Sequence, residues 1–178
     1  MSRVAAARSE RGYTLVEMLT VLVIFGTLMS ALMTLFVRAT NAEADMNNRY
    51  RAQQNARLAL DKLRREAHCA TAVTTSSSSS VTLSLPSYCG NASVTWCTVS
   101  LGTSRYGLYR KVGTSCDSGG IRYADYLTTA NVFPSYTAQS TTALATLKVD
   151  FPVNVKPRRT VDLYELKDDL VLRNSTRA

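Results

Sequence analysis

"RGYTLVEMLTVLVIFGTLM", residues Arg11 to Met29, sets one carboxylate, Glu17, at the head of an otherwise uncharged apolar run. From Met18 to Val37 there are twenty residues without a charge. At ~1.5 Å of rise per helical residue that run spans about 30 Å, the thickness of a bilayer's hydrocarbon core. An ionised side chain at membrane depth costs about 2.5 to 3.5 kcal/mol on insertion scales, so Glu17 calls for a compensating partner. Ahead of it, "MSRVAAARSERG" holds Arg3, Arg8 and Arg11 against Glu10. The positive-inside rule keeps such a segment on the cytoplasmic face. A secretory signal usually has a shorter core followed by a small-residue cleavage site; this core is long, and the segment reads as a retained membrane helix.

The helix is expected to continue beyond the apolar run. From Arg38 to Ala72 there is neither glycine nor proline. Ala42, Met46, Gln53, Ala56, Leu60, Leu63, Ala67 and Ala70 recur at steps of three, four or seven, which places them on one face. Arg57, Asp61, Lys62, Arg64, Arg65 and Glu66 mostly fall elsewhere. Gly26 lies alone in the apolar part as a candidate bend, since glycine costs about 1 kcal/mol against alanine in a helix. The first half, apolar all round, suits lipid or other helices; the second half, with one stripe, suits a small domain laid against it.

Past Val73 the text changes. "TTSSSSS" (Thr74 to Ser80) reads as a polar turn or loop. "VTLSL", "ASVTWCTVS" and "RYGLYRKV" alternate at the strand period and are rich in β-branched and aromatic residues. "GTSCDSGG" is a turn cluster, and "IRYADYL" is a strand or an extended crossing. "LATLKVDFPV" is a strand whose Pro152 suggests an edge or a termination. "RRTVDLYELKDDLVLRN" holds the last strand. The predicted fold is α+β: one long N-terminal helix, with an antiparallel sheet of four to six strands packed on its distal half.

Composition narrows the function. The formal net charge of +8 fits nucleic acid, anionic lipid or an acidic protein surface, but no helix-turn-helix, zinc-finger or RNA-binding signature accompanies it. The four cysteines, Cys69, Cys89, Cys97 and Cys116, contain no C-x-x-C pair and meet a single histidine, His68. A zinc site of the close-paired kind is therefore not expected. One or two disulfides in an oxidising compartment fit better. Four cysteines allow three pairings; short loops favour Cys69 with Cys89 and Cys97 with Cys116, and four buried thiols are the alternative. No cofactor and no metal is expected. Asp117, Asp125, Asp150, Asp162, Glu165, Asp168 and Asp169 are scattered, without the spaced oxygens of a calcium loop. His68 and Cys69, neighbours in sequence, do not face each other on a helix, so no catalytic pair is expected and the chain does not read as an enzyme. Asn91-Ala92-Ser93 and Asn174-Ser175-Thr176 match the glycosylation pattern. Tyr106, Tyr109, Tyr123, Tyr126 and Tyr136 interleave with Arg105, Arg110, Lys111 and Arg122. That arrangement allows a nucleic-acid strand as a partner, or is the ordinary solvent face of a sheet.

The basic leader, the Gly12-Tyr13 junction, Thr14-Leu15, Glu17 and the twenty-residue core together resemble the N-terminal signal of type IV prepilins and type II secretion pseudopilins. Tyrosine stands where that family more often has phenylalanine. "AQQNARLALDKLRREAHCATA" and the closing "LVLRN" (Leu170 to Asn174) resemble the minor pilins and minor pseudopilins of the W and J types. The resemblance implies a leader, residues 1–12, cut after Gly12 by a prepilin peptidase, with Tyr13 as the N-methylated new terminus. It implies a membrane and filament-core helix over 13–37, an amphipathic distal helix over 38–72 and an extracytoplasmic β-rich head over 73–178. The partners implied are other pilin or pseudopilin subunits, the peptidase and a membrane assembly platform. The location implied is the cytoplasmic membrane, single-pass, and later a periplasmic or extracellular filament.

In such a filament Glu17 of one subunit would sit near the Tyr13 amine of the next. Opposite charges ~4 Å apart attract by about 4 kcal/mol at an effective dielectric of ~20, enough to offset the insertion cost. A wrong stagger would leave the acid buried and unpaired. Two alternatives stay open: a side chain that reaches back to the headgroups, and an acid that holds its proton in lipid and ionises on assembly. The rival reading of the whole chain is a single-pass anchored domain that binds a ligand or DNA.

Overall fold

The computed structural model describes residues 12–90, 92–157, 159 and 162–175. The expected leader therefore lies outside the described residues except for Gly12, and so does Asn91. Helix α1 runs unbroken over Leu15–Cys69. The helix continues through Gly26, and a Cβ built there would meet nothing within 4 Å. The chain divides into two compact units between Asp45 and Met46.

In the first unit α1 has no core of its own. Leu15, Leu19, Leu22, Phe25, Leu28, Leu32 and Phe36 all stand exposed. An 18-residue window of the helix has a mean hydropathy of 2.2 with none of it buried, long and apolar enough by length and composition to cross a membrane.

The second unit is a head built on the remainder of α1. Among the described residues eight strands follow: β1 (Ala72–Ser76), β2 (Ser80–Ser84), β3 (Ser93–Gly102), β4 (Arg105–Val112), β5 (Ile121–Leu127), β6 (Ser135–Thr137), β7 (Thr146–Val153) and β8 (Tyr164–Val171). They pair antiparallel in the order β1-β2-β3-β4-β5-β7-β6, with β8 on the other edge of β7. The long N-terminal helix and the antiparallel sheet agree with the expected α+β architecture. The count of four to six strands is corrected to eight. The two short strands β1 and β6 carry serine and threonine where an apolar alternation would announce a strand. β1 takes in Thr74, Thr75 and Ser76 from the stretch expected to be a loop, because the whole of β2 stands beside it to satisfy its backbone.

The helix stripe is also revised. Ala42 and Met46 are exposed, and the buried set starts at Ala52: Ala52, Ala56, Ala59, Leu60, Leu63, Glu66 and Ala67. The alanines let the sheet approach closely, so Trp96, Phe151, Leu83, Leu108, Leu147 and Leu170 pack into the same core. In β7, Leu147, Val149, Phe151 and Val153 alternate inward at the strand period.

Pro152 is the penultimate residue of β7, so the termination it suggests is met at Val153, but β7 is not an edge strand. β7 pairs with β8 along its whole length. Asp150 N–H donates to Val132 O on the opposite side, and Asn154 N–H to Tyr126 O on that same side. By strand parity the missing N–H of Pro152 falls there too, where no continuous ladder needs it.

Candidate functional site

The N-terminal segment is built by helix-start chemistry. Thr14-Leu15-Val16-Glu17 has the capping-box spacing, Thr-x-x-Glu. Thr14 Oγ accepts a hydrogen bond from Glu17 N–H at 3.3 Å, which satisfies one of the free donors of the first turn. Glu17 thus lies in the first turn of α1, where the helix dipole favours a negative side chain. The sequence reading missed this, although the spacing was legible. Gly12 and Tyr13 precede the helix and are exposed, and nothing stands within 4 Å of the position a Gly12 Cβ would take.

The threonine hydroxyls along this part of α1 are satisfied by the helix itself. Thr20 donates to Glu17 O, Thr27 to Ile24 O, Thr34 to Ser30 O and Thr40 to Val37 O, at 2.8 to 3.0 Å. Each therefore presents its methyl outward with no unmet donor, the condition for standing in hydrocarbon. Thr20, Thr27 and Thr34 recur every seventh residue, which gives one face of the run a small-residue stripe.

In the head, Glu66 is the residue the sequence placed wrongly. It is 6 % exposed. Trp96 Nε1 donates to its Oε2 at 2.7 Å, Arg110 Nε to its Oε1 at 2.8 Å, and Lys62 Nζ stands 3.1 Å from Oε1. Steps of three and four place it in line with Ala52, Ala56, Ala59, Leu63 and Ala70. The signal was an acid inside the stripe, in a chain with one tryptophan, a donor-only side chain that seeks an acceptor when buried.

A second polar seam ties α1 to β8. Arg49 meets Asp162 at 2.6 Å, Arg57 Nε donates to Tyr164 Oη at 2.9 Å, and Arg64 reaches Asp168 with two nitrogens at 2.8 and 3.0 Å. His68 Nδ1–H donates to Val171 O at 2.8 Å. The helix and strand positions rise together, so β8 runs parallel to the helix. The closing "LVLRN" has a defined place: Leu170 and Leu172 are buried, and Asn174 Nδ2 donates to Cys69 O at 2.9 Å, on a carbonyl left open at the helix end. Cys69 and Cys89 are disulfide-bonded, as are Cys97 and Cys116, with Cα separations of 6.4 and 5.9 Å. Cys69 is thus no thiolate for His68 to activate.

The basic and aromatic residues do not form an open stacking platform. Tyr109 is buried, and Tyr106, Tyr123, Tyr126 and Tyr136 lie half-buried against the core. Arg105 forks onto Asp125 at 2.7 and 2.9 Å, Arg110 serves Glu66, and Lys111 pairs with Asp117. Arg122 stands 3.4 Å from Asp125. Burial alone would raise the Asp125 pKa. The Arg105 fork, the Tyr126 N–H and the charges of Arg105 and Arg122 outweigh it and hold the carboxyl below the ordinary aspartate range. The hydrogen bonds from Lys111 and from Gly119 N–H likewise lower Asp117. Among the described residues no group of three or more histidine, cysteine, aspartate or glutamate side chains is placed to hold a metal ion.

Compared with known families, residues 7–33 match the model of the prokaryotic N-terminal methylation motif. No curated protein and no solved structure matches the chain. The match covers the Gly12-Tyr13 junction, the capping box and most of the apolar run.

Proposed function

We propose, from the prepilin-type methylation motif that the chain carries, that it is a structural subunit of a type IV pilus-family filament or type II secretion pseudopilus. A prepilin peptidase cuts after Gly12 and methylates the amine of Tyr13. The apolar half of α1 stores the subunit in the cytoplasmic membrane with the head outside it. Assembly then exchanges lipid contacts for contacts with other helices, at little net cost in apolar burial. Glu17 pairs with the Tyr13 amine of a neighbouring subunit and sets the stagger. One observation carries this reading: the methylation motif is laid over a helix whose apolar residues stand exposed, while the distal part of the same helix contributes to the core of a β-rich head. Nothing in the fold crowds Gly12, so the need for glycine there belongs to the cutting enzyme. We assign a minor subunit of the W or J type on the "LVLRN" ending, which buries two leucines and caps the helix. The function is structural and not catalytic, and the internal pairing of Arg105, Arg110 and Lys111 argues against a nucleic-acid groove on that face.

Mass spectrometry of the membrane form tests the proposal. Its N-terminus is expected to be a methylated Tyr13, and Gly12→Val is expected to leave the chain uncut. Glu17→Ala is expected to be cut normally and yet be absent from sheared filaments. An intact Met1 in the membrane fraction would instead make α1 a simple tether for a binding domain.

A further inference from the structure

β5 is left with an open edge. It pairs with β4 along one side, but on the other its only sheet partner among the described residues is Val153, opposite Leu127. Two register shifts in the β4–β5 pairing and a left-handed Tyr126, at φ 62°, turn the strand so that only its end reaches β7. Tyr126 is held in that strained state: its N–H donates to Asp125 Oδ1 at 2.6 Å, its carbonyl accepts from Asn154 N–H, and Arg105 lies 4.2 Å over its ring. Beside this edge runs a groove of about 230 Å³ between β5 and the helix residues Asn48, Arg51 and Asn55.

The groove is positively charged. Asp125 is taken up by the Arg105 fork, which leaves Arg122 with one long contact at 3.4 Å to an already neutralised carboxylate. Arg51 has no ion-pair partner among the described residues. Two guanidinium groups thus flank unpaired strand backbone, with Asn48 and Asn55 adding neutral donors and acceptors. We propose that this groove is a docking site for an extended, acidic segment of a different protein chain, which adds a strand to β5 and places carboxylates on Arg51 and Arg122. A second copy of this chain is the weaker occupant, because each copy carries a net charge of +8 and two such surfaces repel. The inference stands on the head alone and does not require the filament reading.

The test uses the full chain in detergent and a short labelled peptide alternating glutamate with valine, followed by fluorescence anisotropy. Binding is expected to weaken as salt is raised and to fall about tenfold in the doubly substituted Arg51→Gln, Arg122→Gln chain, whose unfolding midpoint serves as the control for folding. The same peptide with alternate backbone nitrogens methylated is expected to lose binding while keeping every carboxylate, which separates strand addition from plain charge attraction. Equal binding of a lysine–valine peptide, or an unchanged Kd in the double variant, would overturn the proposal. So would concentration-dependent self-association abolished by the same two substitutions, since the occupant would then be a second copy.

Discussion

At the scale of single residues, Glu66 decides most. It brings a charge into an alanine-lined seam, and that charge is met by a tryptophan N–H, an arginine and a lysine. Removing one member of such a buried set leaves the others desolvated and unmatched. Glu66→Ala is therefore expected to cost about 3 to 5 kcal/mol, read as a lower denaturant midpoint of the full chain in detergent. Glu66→Gln keeps an acceptor for Trp96 and should cost less. Asp125 makes a pH prediction. Its folded pKa lies below its unfolded one, so its contribution is complete above the unfolded value, about pH 4. That contribution is lost as pH falls through the folded value. Thermal melts from pH 6 downward should show a steeper acid loss in the natural chain than in Asp125→Asn, which starts lower and stays flatter. Equal slopes would mean that the Arg105 fork carries no pH-dependent stability.

At the scale of elements, what the sequence disclosed followed periodicity. The distal stripe from Ala56 to Ala70 and the alternation in β7 are direct products of which face is buried; β2, β3 and β4 were legible from their β-branched and aromatic residues, although Thr82, Thr95 and Cys97 are buried between the apolar positions. β1 and β6 were not, because "AVTTS" and "SYT" owe their strand state to neighbours and not to their own pattern. Pro152 disclosed the end of β7 but not its place in the sheet, because that depends on which side of the strand lacks a ladder, which no local reading supplies. Ala42 and Met46 fit the period of the stripe but stand exposed, because period alone does not say where the covering layer ends. At the candidate site, the Gly12-Tyr13 junction and Glu17 were legible as a motif, and the capping role of Thr14 was present in the spacing and passed over. The groove beside β5 was invisible, since Arg51 and Arg122 meet only through the tertiary fold.

At the scale of the whole molecule, two covalent ties lock the second unit. Cys69–Cys89 fastens the end of α1 to the segment between β2 and β3. Cys97–Cys116 draws the loop after β4 onto β3, where Thr82 and Thr95 share a hydrogen bond and Thr95 donates to Gly113 O. Loops of 20 and 19 residues are each expected to contribute about 3 kcal/mol through the unfolded state. A reductant should lower the unfolding midpoint of the full chain, and Cys97→Ser with Cys116→Ser should reproduce part of that loss; no shift on reduction would make the ties ornamental.

The seam between α1 and β8 has a consequence for biosynthesis. Residues 49 to 69 meet their partners at 162 to 174, more than a hundred positions later in translation. The helix is made long before the strand that covers its flank, a contact pattern that slows closure. Until β8 has been made, the arginines along that flank of the helix lack their partners. A nascent chain of this kind stays open to proteases and to wrong partners until residues 162 to 174 emerge.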